Sequence, residues 1–107
     1  MRIREEKRKV LRARVNFWAL QLDVHPRIVR IRSMTRKWGS CSTNGIVTFA
    51  IDLAEQERGF QDFVIAHELL HLRVPNHGKL FKALMTVHVP DWKRYSTEKQ
   101  YVSKALK

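Results

Sequence analysis

The sequence predicts an α+β fold: a small twisted sheet of about three strands, antiparallel or mixed, packed on one buried helix, with further helices flanking it. Three observations carry this expectation. Apolar residues recur at helical spacing from residue 2 to about residue 22, apolar and polar residues alternate within residues 27–51, and residues 60–74 are apolar on nearly every side. At 107 residues and 44% hydrophobic, the chain suits one compact domain with a single core, spanning residues 1–107.

The first element is an amphipathic helix over 1–24. Ile3, Val10, Leu11, Val15, Trp18 and Leu22 lie at helical spacing with Arg and Lys between them, and Asp23, His25 and Pro26 end it. The sheet occupies 27–51. Val29 and Ile31 alternate with Arg30 and Arg32, which reads as a half-buried strand. A second strand is expected over 35–42 and a third over 46–51. The Asn44-Gly45 pair between them signals a tight turn, so the middle of the chain reads as an antiparallel meander, or at least a hairpin plus one strand. A short helical turn over 52–58 is expected to end at Gly59. The buried helix follows, about 60–74, and a third helix about 76–88, with Asn76 as its cap; Met85 reads as core filler. Pro90 opens a C-terminal helix or tail over 90–107, with Asp91 as a cap, Trp92, Tyr95 and Val102 docking it, and a Lys-rich end that frays.

Bulk composition bounds the function. No apolar run approaches the roughly 20 residues that span a bilayer, and no signal-peptide core follows the basic N-terminus. A cytoplasmic protein without membrane contact is expected, and a single Cys excludes an internal disulfide. The net charge is +11, and it is uneven: residues 1–40 hold 12 Lys/Arg against 3 Asp/Glu. A basic half attracts phosphates or acidic partners, nucleic acid included, or simply solvates the surface; no nucleic-acid motif accompanies it.

The chemistry is concentrated in the buried helix. His67, Glu68 and His71 spell H-E-x-x-H. Two imidazoles four residues apart on a helix point the same way and can share one Zn²⁺, while Glu68 reaches a metal-activated water without ligating the ion. A catalytic zinc needs a third ligand and one open position. Pro75 stops the helix, the chain turns back, and His77 stands at the reversal. Three His and a neighbouring Glu form a complete hydrolytic set, with one Zn²⁺ per chain. An imidazole pair and a carboxylate on so apolar a helix are otherwise costly to bury. Cys41 reads as a small buried side chain rather than a fourth ligand. Negative charge developing on a substrate needs a further donor, for which Arg36, Lys37, His88 and Tyr95 are candidates. Trp38, with Arg36 and Lys37, is a candidate for the substrate cleft, and plain core packing is the alternative for Trp38.

Lys37-Trp38-Gly39-Ser40-Cys41, then Asn44-Gly45 and an apolar strand, then HELLHL, then Asn76-His77-Gly78 with Phe81, then Pro90-Asp91-Trp92 together resemble the YgjP-like zinc metallopeptidase family. The His77-Gly78-x-x-Phe81 piece also resembles SprT-like proteases. The resemblance spans about residues 27–93. It implies a zincin-like fold whose edge strand borders the substrate cleft, zinc on His67, His71 and His77, and Glu68 as the catalytic carboxylate. Many relatives carry Arg at the position of Lys37, and longer ones carry an N-terminal extension, so this chain reads as a minimal catalytic core. Val74 stands where the metzincin signature has Gly, which excludes that group. The expected function is zinc-dependent hydrolysis of a peptide or protein substrate. The alternatives are a nucleoside-triphosphate pyrophosphatase, to which the resembled family has been linked, and a nucleic-acid-associated protease or binding module.

Overall fold

Helix α1 (Arg2–Leu22) is followed by strands β1 (Ile28–Arg32), β2 (Gly39–Cys41) and β3 (Ile46–Ala50). A 3-10 turn (Ile51–Glu55), α2 (Arg58–Leu70), α3 (Lys79–His88) and α4 (Trp92–Tyr95) complete the chain. The computed structural model describes residues 2–96. The expected docking of Val102 and the Lys-rich end lie outside the described residues.

Helix α1 forms because Leu11, Val15, Trp18 and Leu22 fall on one face, and all four are buried. It ends where Asp23 takes a left-handed conformation (φ 54°) and the Val24 N–H reaches back to the Ala19 carbonyl at 3.0 Å. A polar clamp ties α1 to α2. The Trp18 indole N–H (2.9 Å) and the Arg14 guanidinium (Nη2, 2.9 Å) both donate to Asp62 Oδ1.

The sheet order is β1-β3-β2, with β1 parallel to β3 and β2 antiparallel to it. The sheet is therefore mixed, and the simple meander does not form. The Asn44-Gly45 signal does join β2 to β3. The ladder closes at Ser42, whose N–H donates to the Ile46 carbonyl at 2.9 Å, so the loop has three residues, with Gly45 at φ 89°. The second strand is also shorter than residues 35–42.

The two edges of this sheet differ. On the β1 side, Arg8 Nε and Arg12 Nη1 of α1 donate to the carbonyls of Ile31 and Val29, each at 3.2 Å, so that edge is covered. On the β2 side the ladder bonds fall at Trp38, Ser40 and Ser42. By antiparallel alternation the peptide groups of Gly39 and Cys41 then point away from β3.

Helix α2 lies against the sheet, and Phe63, Val64, Ile65, Ala66, Leu69 and Leu70 are fully buried. It starts at Arg58, so Gly59 lies inside its first turn instead of ending the preceding one. A side chain at Gly59 would meet the Tyr95 hydroxyl. The helix ends at Leu70 with His71 as its C-cap, four residues short of the expected boundary. Helix α3 begins at Lys79 with Gly78, not Asn76, as its N-cap. Asp91 does precede α4, but its side chain makes no capping bond. Met85 is buried core, as its spacing predicts.

Candidate functional site

His67 occupies the last turn of α2 and His71 its C-cap, where φ and ψ (−61°, −18°) are still helical, so both imidazoles leave the same face. Leu72 and Arg73 continue the turn, Val74 is buried, and Pro75 prevents further helix. The chain reverses there and brings His77 back over the end of α2. His77 Nε2 lies 3.1 Å from His67 Nε2 and 2.9 Å from His71 Nε2. The ligand atoms of all three lie within 4.8 Å of one another, and among the described residues this is the cluster able to hold a metal ion.

Phe81, fully buried on α3, forms the floor of this cluster. Its ring stacks on His71 (centroids 4.9 Å) and meets His67 (5.3 Å) and His77 (4.8 Å) edge-on. His77 lies just before the N-cap of α3, which carries Phe81. Proton positions follow from the partners. His71 Nδ1 lies 3.2 Å from the Val74 carbonyl, so it carries the proton and leaves its Nε2 lone pair facing the other rings. Burial, then the nearby His67, hold the His71 pKa below the ordinary 6.5; burial, then His67 and His71, do the same for His77. Neutral imidazoles are the form that ligates a cation.

Glu68 is buried beside the cluster, with its Oε2 3.4 Å from His67 Nδ1. His67, Glu68, His71 and His77 form one wall of an open cleft of about 400 Å³. The opposite wall is β2 and its turn, from Lys37 through Gly39 and Cys41 to Thr43. The hollow continues past Thr43 and Pro75 toward Arg27 and Arg73.

Of the remaining expected residues, Lys37 lines the cleft. Arg36 is exposed and is not part of the cleft wall. Trp38 takes its core-packing alternative: it is half-buried, with its ring edge-on to Phe60 at 5.5 Å. Cys41 lines the cleft but stands outside the imidazole cluster. Burial, with the Glu68 carboxylate as a lesser cause, pushes its thiol pKa up.

Tyr95 and His88 are not brought to the metal cluster. Both line a separate hollow beside Trp18 and Asp62, and the Tyr95 hydroxyl donates to Glu57 Oε1 at 2.6 Å. Glu57 caps the far end of α2, about 15 Å from His67 at 1.5 Å per residue. Neither residue lines the metal cleft. Gly39, Ser40, Ser42 and Thr43 also line the cleft, and their signal in the sequence is their position beside the Asn44-Gly45 turn.

A profile of the YgjP-like metallopeptidase domain matches residues 2–99. Among solved structures, the metallopeptidase zymogen jannalysin of Methanocaldococcus jannaschii is similar, with a TM-score of 0.66 and 23% identity over 73% of this chain and 80% of that one. At that identity the likeness is one of fold. No curated protein matches the chain. The profile takes in every element that builds the cleft, from α1 to α4, and on that match the chain belongs to the family of YgjP-like metallopeptidases.

Proposed function

We propose that the protein is a zinc-dependent peptidase, with zinc on His67, His71 and His77 and Glu68 as the general base. The observation that carries this reading is the convergence of three imidazole nitrogens at 2.9 and 3.1 Å beside a buried carboxylate. A tetrahedral zinc with Zn–N of about 2.05 Å sets its ligands about 3.3 Å apart, close to the two separations that His77 Nε2 makes, and the ligand atoms of all three lie within 4.8 Å of one another. Three neutral nitrogens without a thiolate also match the open, catalytic kind of zinc site. When bound, zinc would act as a Lewis acid that makes water nucleophilic at neutral pH and polarises a carbonyl.

The chain's own groups supply the rest. Glu68 takes the proton of the attacking water and returns it to the departing amine. The peptide groups of Gly39 and Cys41 point from β2 toward the cleft side, where an extended substrate can add as a further strand. The other edge of the sheet is already covered by Arg8 and Arg12, which leaves β2 as the edge available to substrate. Lys37 is the cationic donor on the cleft wall.

The alternatives draw less support. Lys7, Arg8, Arg12, Arg14 and Arg27 of the basic half bond to carboxylates or backbone carbonyls of the chain itself. Among the described residues the metal cleft is lined by one Lys or Arg, Lys37, with Arg27 and Arg73 in the adjoining hollow. Among the described residues no helix is long and apolar enough to cross a membrane.

The test compares wild type with Glu68→Gln on an unfolded protein and on nucleoside triphosphates, with zinc content measured for both. Loss of proteolysis by about 10²- to 10⁴-fold with zinc retained supports this reading. Triphosphate turnover without proteolysis, or unchanged proteolysis in the variant, contradicts it.

A further inference from the structure

We propose that Gly39 is a positioning residue for Glu68: the missing side chain on β2 sets where the catalytic carboxylate stands. The proposal rests on the peptidase reading above and adds a residue to it.

Gly39 is buried, and β2 lies directly over the last turns of α2. A Cβ built on Gly39 would stand 3.0 Å from Glu68 Cγ and 3.3 Å from both Phe49 Cδ1 and Val64 Cγ1. A contact of 3.0 Å between carbons is inside van der Waals separation, so the neighbour must give by a few tenths of an ångström. The backbone of Gly39 does not itself demand glycine, because its φ lies outside the left-handed region. Space, rather than dihedral angle, is what excludes a side chain here.

Closeness and torsional freedom decide what would move, since Glu68 is buried too. Phe49 and Val64 are fully buried, and Phe49 also pairs with Gly39 across the β2–β3 ladder. Their contacts are the milder ones. The Glu68 side chain is the closest neighbour and the one with free torsions, and its carboxyl end borders the open cleft. A methyl group at 39 therefore turns Glu68 about its side-chain bonds. Its carboxylate leaves the place where Oε2 now stands 3.4 Å from His67 Nδ1. The three heavy atoms nearest the added methyl belong to Glu68, Phe49 and Val64, and none is an imidazole atom.

The experiment is Gly39→Ala in the wild-type and Glu68→Gln backgrounds. Zinc content, thermal melts and steady-state proteolysis are read for each, with a crystal structure of the single variant. The expected result is one zinc per chain, a cooperative melt, and kcat lowered by about 10- to 100-fold with KM nearly unchanged. In the Glu68→Gln background, whose residual turnover lacks the carboxylate, the same substitution has no further effect. The crystal structure shows the Glu68 carboxylate displaced and the three imidazoles in place.

Wild-type turnover by Gly39→Ala, or an equal loss in both backgrounds, overturns the proposal. If Gly39→Ala does not fold, the comparison is made within Val64→Ala, which removes one of the two 3.3 Å contacts of the added methyl; failure to fold there too shows a packing role only and also overturns it. If wild type cleaves no peptide, the peptidase reading falls, while the crystallographic position of Glu68 still decides the role of Gly39.

Discussion

Replacing His77 by Ala separates the metal site from the fold, because His77 lies on an exposed turn. Its side chain is held by the two other imidazoles and by the ring of Phe81. Without metal, loss of an exposed side chain is expected to shift stability by no more than about 0.5 kcal/mol. With metal the loss is large. Apparent zinc-binding energies of about 10–16 kcal/mol over four ligands give about 3 kcal/mol per ligand, which is about two decades of affinity. At free zinc 100 times the wild-type Kd, binding stabilises the wild-type fold by about 2.7 kcal/mol and the variant by about 0.4 kcal/mol. For a domain of this size those figures correspond to melting shifts of roughly 10–20 °C and about 2 °C. The assay is a thermal melt of both proteins, with and without buffered zinc. A His77→Ala protein that zinc stabilises as strongly as wild type would show that the ion is held elsewhere and would refute the reasoning.

Two further outcomes follow from the same geometry. Asp62→Ala strips the acceptor from the Trp18 indole and the Arg14 guanidinium, and denaturant unfolding should show a loss of about 1.5–3 kcal/mol with metal content per folded chain unchanged. The metal-free protein should lose stability as pH falls below 6.5, the ordinary imidazole value, because His71 and His77 titrate lower in the fold and the unfolded chain then binds more protons. The loss levels off only below the depressed folded values, and melts between pH 8 and 5 should show His77→Ala with a shallower decline than wild type.

The parts of the site legible in the sequence were those set by local geometry. His67 and His71 share a helix face whatever surrounds them. Pro75 forces a reversal that brings His77 back, even though the third helix starts at Lys79 instead of Asn76. The Asn44-Gly45 signal correctly joined β2 to β3 because hairpin pairing is local. The side of β3 taken by β1 was not legible: the parallel pairing of Ile28–Arg32 with Ile46–Ala50 is non-local, and alternation in β1 marks its faces, not its neighbour.

The cleft wall opposite the imidazoles was obscure for a related reason. It exists because Gly39 lets β2 press onto α2, a contact between segments some 25 to 30 residues apart. Trp38 shows the same limit. It stands between two cleft-lining residues, Lys37 and Gly39, yet packs its ring on Phe60. Tyr95 and His88 have the chemistry of donors, but only tertiary packing shows that they serve the far end of α2.

The most direct test of three imidazoles around one ion with an open position is X-ray absorption at the zinc edge on protein titrated to equivalence. The account predicts one zinc per chain, three imidazole nitrogens and a further light-atom ligand at about 2.0–2.1 Å, and no sulfur. A sulfur scatterer at about 2.3 Å, placing Cys41 on the ion and closing the site, or a protein that holds no zinc, would contradict it.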